Sequence, residues 1–140
     1  MRALFSLYDN RYAVTFAADL QQMGWEIVCT SETYPLLREA KVPSTRIESF
    51  VGTSKNYEFP PTLHPKVESA LTGNDPSNKI DLVFDIPYYP PEGYDIGGLT
   101  LLALAIKGRK IPVFTNGDMT QVVNQFKANA KIDDKLRESL

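Results

Sequence analysis

The sequence predicts one α/β domain of three layers, a twisted parallel five-stranded sheet with helices on both faces. Two observations carry this. Short apolar runs of strand length alternate with stretches whose apolar residues recur at helical spacing, as in successive βαβ units. The short runs are also apolar almost throughout, as strands covered on both faces must be. At 140 residues, with 43% hydrophobic and 23% charged side chains, the chain has the size and composition for one well-buried core. No linker, repeat or low-complexity segment divides residues 1–140, so a single domain is expected.

In chain order, ALFSLY (3–8) is the first strand and stops at Asp9-Asn10. Ala13, Phe16, Ala17 and Leu20 fall at i, i+3, i+4 and i+7, one face of a helix ended by Gly24. WEIVCT (25–30) is the second strand. TSET (30–33) offers N-cap residues for a short helix around YPLLREA, which Pro43 ends. TRIESF (45–50) is a weaker third strand. Residues 51–65 form a long loop, a length that often carries function. HPKVESAL is a short helix closed by Gly73, and IDLVFDI (80–86) is the most apolar strand. YYPPEGYDIGG turns into an apolar helix, LTLLALAIKG (99–108). KIPVFT (110–115) is the fifth strand. A helix from Asn116-Gly117-Asp118 to Phe126 and a polar helical tail, IDDKLRESL, complete the chain.

Net charge is −2 and the isoelectric point about 5.4. That excludes the dense basic patch of a general nucleic-acid binder but leaves room for a small anionic ligand. The single cysteine, Cys29, lies in the apolar run EIVC and reads as a buried hydrophobe. No apolar run reaches membrane-spanning length and the N-terminus is unlike a signal peptide, so a cytoplasmic protein is expected. In a parallel sheet of this kind ligands bind beyond the carboxyl ends of the strands, where the strand order reverses. This points to the loops YDN, TSET and YYPPEGYDIGG, with FPPTLHP able to fold over them. The lone histidine, His64 in TLHPKV, is better suited to capping the helix that follows than to catalysis. Asp95 suits a helix cap or a ligand contact, and Lys107 complements the end of the same helix.

ALFSLYDN, TLHPKV, LVFDIPYYP and DIGGLTLLALAIKGRKIPVFTNG, in this order, resemble the methylglyoxal-synthase-like fold. More narrowly they resemble the IMP cyclohydrolase domain of the bifunctional purine biosynthesis protein. That family carries ALxSVSDK, a GGT loop, KTLHP, a strand ending in NLYPF, and DIGGxTxLRAAAKN. The resemblance implies ring closure of formyl-aminoimidazole-carboxamide ribotide to IMP and water, with neither metal nor organic cofactor. It assigns catalysis to Lys107, Asp95 and Tyr88, with Tyr89 an alternative to Tyr88. It assigns substrate binding to Asp9, Asn10, Thr30, Ser31, Thr33, Thr62, Asp85 and Ile96. Twelve helical residues separate Asp95 from Lys107, roughly 18 Å of rise. Either Asp95 reaches back from the preceding loop, or Lys107 serves a neighbouring subunit, or one of the two is structural.

The departures concern charge. The family's SDK is Tyr8-Asp9-Asn10 here, its SGGT is Thr30-Ser31-Glu32-Thr33, and the Arg-x-Lys before TLHP is Phe59-Pro60-Pro61. Three cations are thus replaced by neutral residues, with Arg11, Lys55 and Lys66 near enough in sequence to substitute. The alternative function is a non-catalytic module that binds a small phosphorylated effector or a partner subunit. The expected partners are a nucleotide substrate or effector and a second copy in a homodimer, with a separate transformylase as a candidate; neither nucleic acid nor membrane is expected.

Overall fold

The computed structural model describes residues 1–7, 10–52, 61–73, 77–86 and 95–129, with the backbone alone for Pro61, Ile96 and Asn129. Strands β1 (Arg2–Leu7), β2 (Glu26–Cys29), β3 (Thr45–Arg46), β4 (Leu82–Ile86) and β5 (Ile111–Val113) form the sheet. Its order is β3-β2-β1-β4-β5 and every pairing is parallel. The order reverses between β1 and β4, where Ser6 lies beside Asp85. The helices that follow these two strands lie on opposite faces of the sheet, the arrangement that in such folds places a ligand site at the reversal.

Alternation along the strands splits the core into two layers. Ala3, Phe5, Ile27, Leu82, Phe84 and Val113 face one side. There they pack under α1 (Ala13–Gln22), α2 (Tyr34–Glu39) and α6 (Asn116–Asn129). Phe84 meets Phe5 and Phe16 edge to face, at centroid separations of 5.2 and 5.6 Å. Leu4, Val28 and Val83 face the other side, under α3 (Ile47–Val51), α4 (Pro65–Thr72) and α5 (Ile96–Lys107). Alternation therefore turns Ser6 and Asp85 toward the α5 side.

One predicted element differs. TRIESF is not a strand along its length: only Thr45 and Arg46 pair with β2, and the chain then turns helical over Ile47–Val51. Ile47, Phe50 and Val51 stand at i, i+3 and i+4, so helical burial of these three outweighs extended pairing. Gly52, at φ 84°, closes this helix in the left-handed conformation that glycine adopts without strain. Helix α5 also starts earlier than its apolar run, since Gly97 and Gly98 lie in its first turn. The polar tail from Ala130 lies outside the described residues.

At the far end of α5, a Cβ on Gly108 would collide with the main-chain oxygen of Leu71 in α4. The two helices therefore meet backbone to backbone. Among the described residues, no helix is long and apolar enough to cross a membrane.

Candidate functional site

The carboxyl ends of β2, β1 and β4 gather two polar clusters. The first joins the loops after β1 and β2. Thr33, fully buried at the start of α2, does not cap that helix with its side chain. Its hydroxyl instead donates to Asn10 Oδ1 at 2.7 Å, while Asn10 Nδ2 donates to the Leu7 carbonyl at 3.4 Å. The Ser31 hydroxyl donates to Glu48 Oε1 at 2.8 Å. The amides of Thr33 and Tyr34 both donate to the Thr30 carbonyl, and the Thr30 amide donates to Phe5. The hydroxyls and several of the amides that would grip an anion here are thus committed within the protein.

Glu48, only 8% exposed, is the acid under this loop, and its Oε2 is buried without a hydrogen-bond partner. Glu32, the charge the sequence flags, is exposed. Sequence reading also missed Arg46. It enters from the end of β3 and stacks on Tyr34, its guanidinium 5.1 Å from the ring centroid, so a cation does reach this edge of the site. The signal in the sequence was a cationic residue at the end of a strand flanking TSET, hidden by reading TRIESF as one strand. Cys29 lies below, its thiol pushed up to about 11, first by burial and also by the Glu48 charge, with Ser44 pulling the other way. It is therefore inert at neutral pH.

The second cluster sits between β4 and the N-terminus of α5. Asp95 caps the helix, its Oδ1 accepting from the Gly98 amide at 2.8 Å. Asp85 is fully buried, and neither of its carboxylate oxygens has a well-formed hydrogen bond. Both carboxyls converge on Gly98, where a Cβ would come within 2.5 Å of Asp95 Oδ2 and 2.7 Å of Asp85 Oδ1. Only a residue without a side chain leaves them this close. Burial, then the Asp95 charge, pushes the Asp85 carboxyl up to about 7, while the nearby Ser6 hydroxyl favours the charged form. A carboxyl able to hold a proton at neutral pH is suited to moving one.

The third predicted segment, TLHP, packs on this same face. Thr62 is buried in a 3-10 turn (Pro61–Leu63) that touches α5, α3 and α4. His64 caps α4, its Nδ1 accepting from the Lys66 amide at 3.1 Å. Lys66 itself reaches back over Gly52, where its Nζ would lie 3.4 Å from a Cβ. The structure thus draws Asn10, Thr30, Ser31 and Thr33 into one cluster and Asp85 and Asp95 into another. Lys107 is apart from both, exposed in the last turn of α5. Ile96 takes part through its backbone in the first turn, and Asp9, Tyr88, Tyr89 and Lys55 lie outside the described residues. A depression of about 420 Å³ lined by Arg2, Glu26, Ser77, Lys79 and Asp81 opens at the other end of the sheet. Its charges already pair with one another there, Arg2 with Glu26 and Lys79 with Asp81. Among the described residues no group of three or more His, Cys, Asp or Glu side chains is placed to hold a metal.

No protein-family model matches the chain. It is 32% identical over 110 residues to the bifunctional purine biosynthesis protein PurH of Thermotoga maritima, covering 78% of this chain and 24% of that protein. Against the bifunctional purine biosynthesis protein PurH of Neisseria meningitidis it is 30% identical over 170 residues, covering 99% of this chain and 32% of that protein. The chain spans about a quarter to a third of the length of these relatives. The crystal structure of ForH superposes with a TM-score of 0.84 at 26% identity, covering all of this chain and 88% of that one. The chain is homologous to part of the bifunctional purine biosynthesis proteins and has the methylglyoxal-synthase-like fold, as its motifs indicate.

Proposed function

We propose that the chain closes the pyrimidine ring of formyl-aminoimidazole-carboxamide ribotide, yielding IMP and water. The observation that supports this best is the pairing of buried Asp85 with half-buried Asp95 at the α5 N-terminus, where the strand order reverses between β1 and β4. Ring closure requires proton movement and no redox change. The carboxamide nitrogen bonds to the formyl carbon and its proton passes to the formyl oxygen, which becomes a hydroxyl. The formamide nitrogen then gives up its own proton to that hydroxyl, the C–O bond breaks, and water leaves as the C=N bond forms. Asp95 relays the carboxamide nitrogen's proton to the formyl oxygen and then the formamide nitrogen's proton to the departing hydroxyl, so the pair ends as it began. The helix N-terminus steadies the negative charge that Asp95 carries between turnovers.

Lys107 enters this scheme from a second copy. Within one chain, α5 holds it the length of a 12-residue helix from Asp95. Leu99 and Ile106, 50% and 64% exposed, lie one above the other on the outer side of the same helix, a surface a homodimer would cover.

The second reading is an effector-binding module without turnover. The committed hydroxyls of Ser31 and Thr33 favour it, because they leave fewer donors for a substrate phosphate.

The deciding measurement is absorbance at the IMP band during incubation with the formylated ribotide, using wild type and Lys107→Ala. Turnover in the wild type, reduced at least about tenfold (roughly 1.4 kcal/mol of barrier) in a folded Lys107→Ala, is the expected result. Turnover unchanged in Lys107→Ala would return that lysine to a helix-end role. No turnover, with IMP still raising the melting temperature, would establish the effector module.

A further inference from the structure

Buried carboxylates are expensive to keep charged unless a cation, a donor or a proton attends them. Among the described residues, the groups around Asp85 supply no cation. From β1 it lies beside Ser6, from β5 the pairing ends one residue earlier with Val113 opposite Phe84, and from α5 it faces Gly98 and Asp95. Of these only Asp95 is ionisable, and it brings negative charge. Asp95 is placed differently: half-buried, capped onto the Gly98 amide and seated in the positive end of a 12-residue helix. The helix therefore keeps the charge on Asp95 and leaves the proton to Asp85. The Asp95 oxygen that does not cap the helix is the one that shares the space above Gly98 with Asp85.

We propose that Asp85 and Asp95 hold one proton between them, and that Asp85 is a positioning residue that sets, through Asp95, whether the α5 N-terminus offers a ligand a hydrogen-bond acceptor or a donor. With the proton on Asp85, Asp95 accepts from an N–H, such as a carboxamide or a ring imide. With the proton passed to Asp95, the same atom donates to a carbonyl or a departing hydroxyl. No atom is gained or lost by the pair in the exchange. Asp85 never needs to touch the ligand, which agrees with its complete burial. The inference deepens the ring-closure reading, on which the identity of the ligand rests, but the shared proton itself does not depend on turnover.

Carbon-13 NMR of protein labelled at the aspartate carboxyls reads the pair directly. In the wild type one aspartate is expected to titrate near 7, and in Asp95→Asn that midpoint should fall by about one pH unit as the neighbouring charge is removed. An unchanged midpoint in Asp95→Asn, or no aspartate titrating above about pH 5 in the wild type, would overturn the proposal. Calorimetric titration with IMP between about pH 6 and 8 then tests the consequence. Affinity should vary with pH in the wild type and become flat in Asp85→Asn and in Gly98→Ala, which forces the carboxyls apart with their charges intact. Wild-type pH dependence surviving in both variants would refute the coupling. Absence of IMP binding at every pH would sink the ring-closure reading alone, leaving the carboxyl titration to decide the pair.

Discussion

The two ends of α5 are built on opposite terms. At its N-terminus two carboxyls are pressed together around Gly98, one of them fully buried without a well-formed hydrogen bond. At its C-terminus Lys107 stands in solvent at the end of the dipole it complements, and Gly108 seats the helix against the Leu71 carbonyl. One end keeps an energetic cost that folding alone does not explain; the other is satisfied by ordinary structural rules. A polar group left unsatisfied in the interior is the more informative about function.

The sharpest way to break this contrast is to neutralise the N-terminal end. Burial, then the Asp95 charge, pushes the Asp85 carboxyl up to about 7 in the folded protein, against about 4 for an aspartate in the unfolded chain. Between those values the folded state holds a proton the unfolded chain has lost, so this group's contribution to stability falls as pH rises, reaching its full cost above about 7. Asp85→Asn removes the ionisation. It should raise the unfolding free energy by roughly 2–4 kcal/mol at pH 8 and leave it nearly unchanged near pH 4. Urea denaturation at the two pH values checks this, and an equal effect at both would mean that Asp85 is not strained by charge.

Next in size is Gly108→Ala. At Gly98 an added methyl meets the tips of two side chains that can rotate, but at Gly108 it meets main chain that cannot. A loss of about 1–3 kcal/mol is expected at Gly108, against a smaller change at Gly98, measured in parallel by thermal unfolding. The reverse order would show that the carboxyl pair is the more rigid feature. Smallest is the effect of Lys107→Ala on stability, at most about 0.5 kcal/mol for an exposed cation at a helix end. A larger loss in denaturant would tie Lys107 to the fold rather than to a neighbouring copy.

The parallel sheet was legible in the sequence because buried parallel strands leave uninterrupted apolar runs, as in IDLVFDI and EIVC. The caps at His64 and Asp95 were legible too, since each precedes a helix and presents an acceptor at the right spacing. TRIESF misled because a two-residue strand followed by one helical turn carries too few residues for either period to declare itself. The carboxyl pair was only half legible. Asp95 stands out before two glycines, but Asp85 sits inside an apolar strand, and its approach to Asp95 depends on where α5 begins. Glu48 and Arg46 were hidden for the same reason, because their neighbours across β2 are set by topology and not by sequence distance.

The contact between Gly108 and Leu71 bears on motion as well as on stability. Helices that touch through side chains can slide by repacking rotamers, but a main-chain seat leaves no slack between α4 and α5. The TLHP turn, continuous with α4, and Asp95, at the far end of α5, therefore travel as one rigid wall. Among the described residues, the bank that faces this wall is formed by Asn10 and the Thr30–Thr33 turn, so closing around a ligand there would bring that bank toward a wall that holds still.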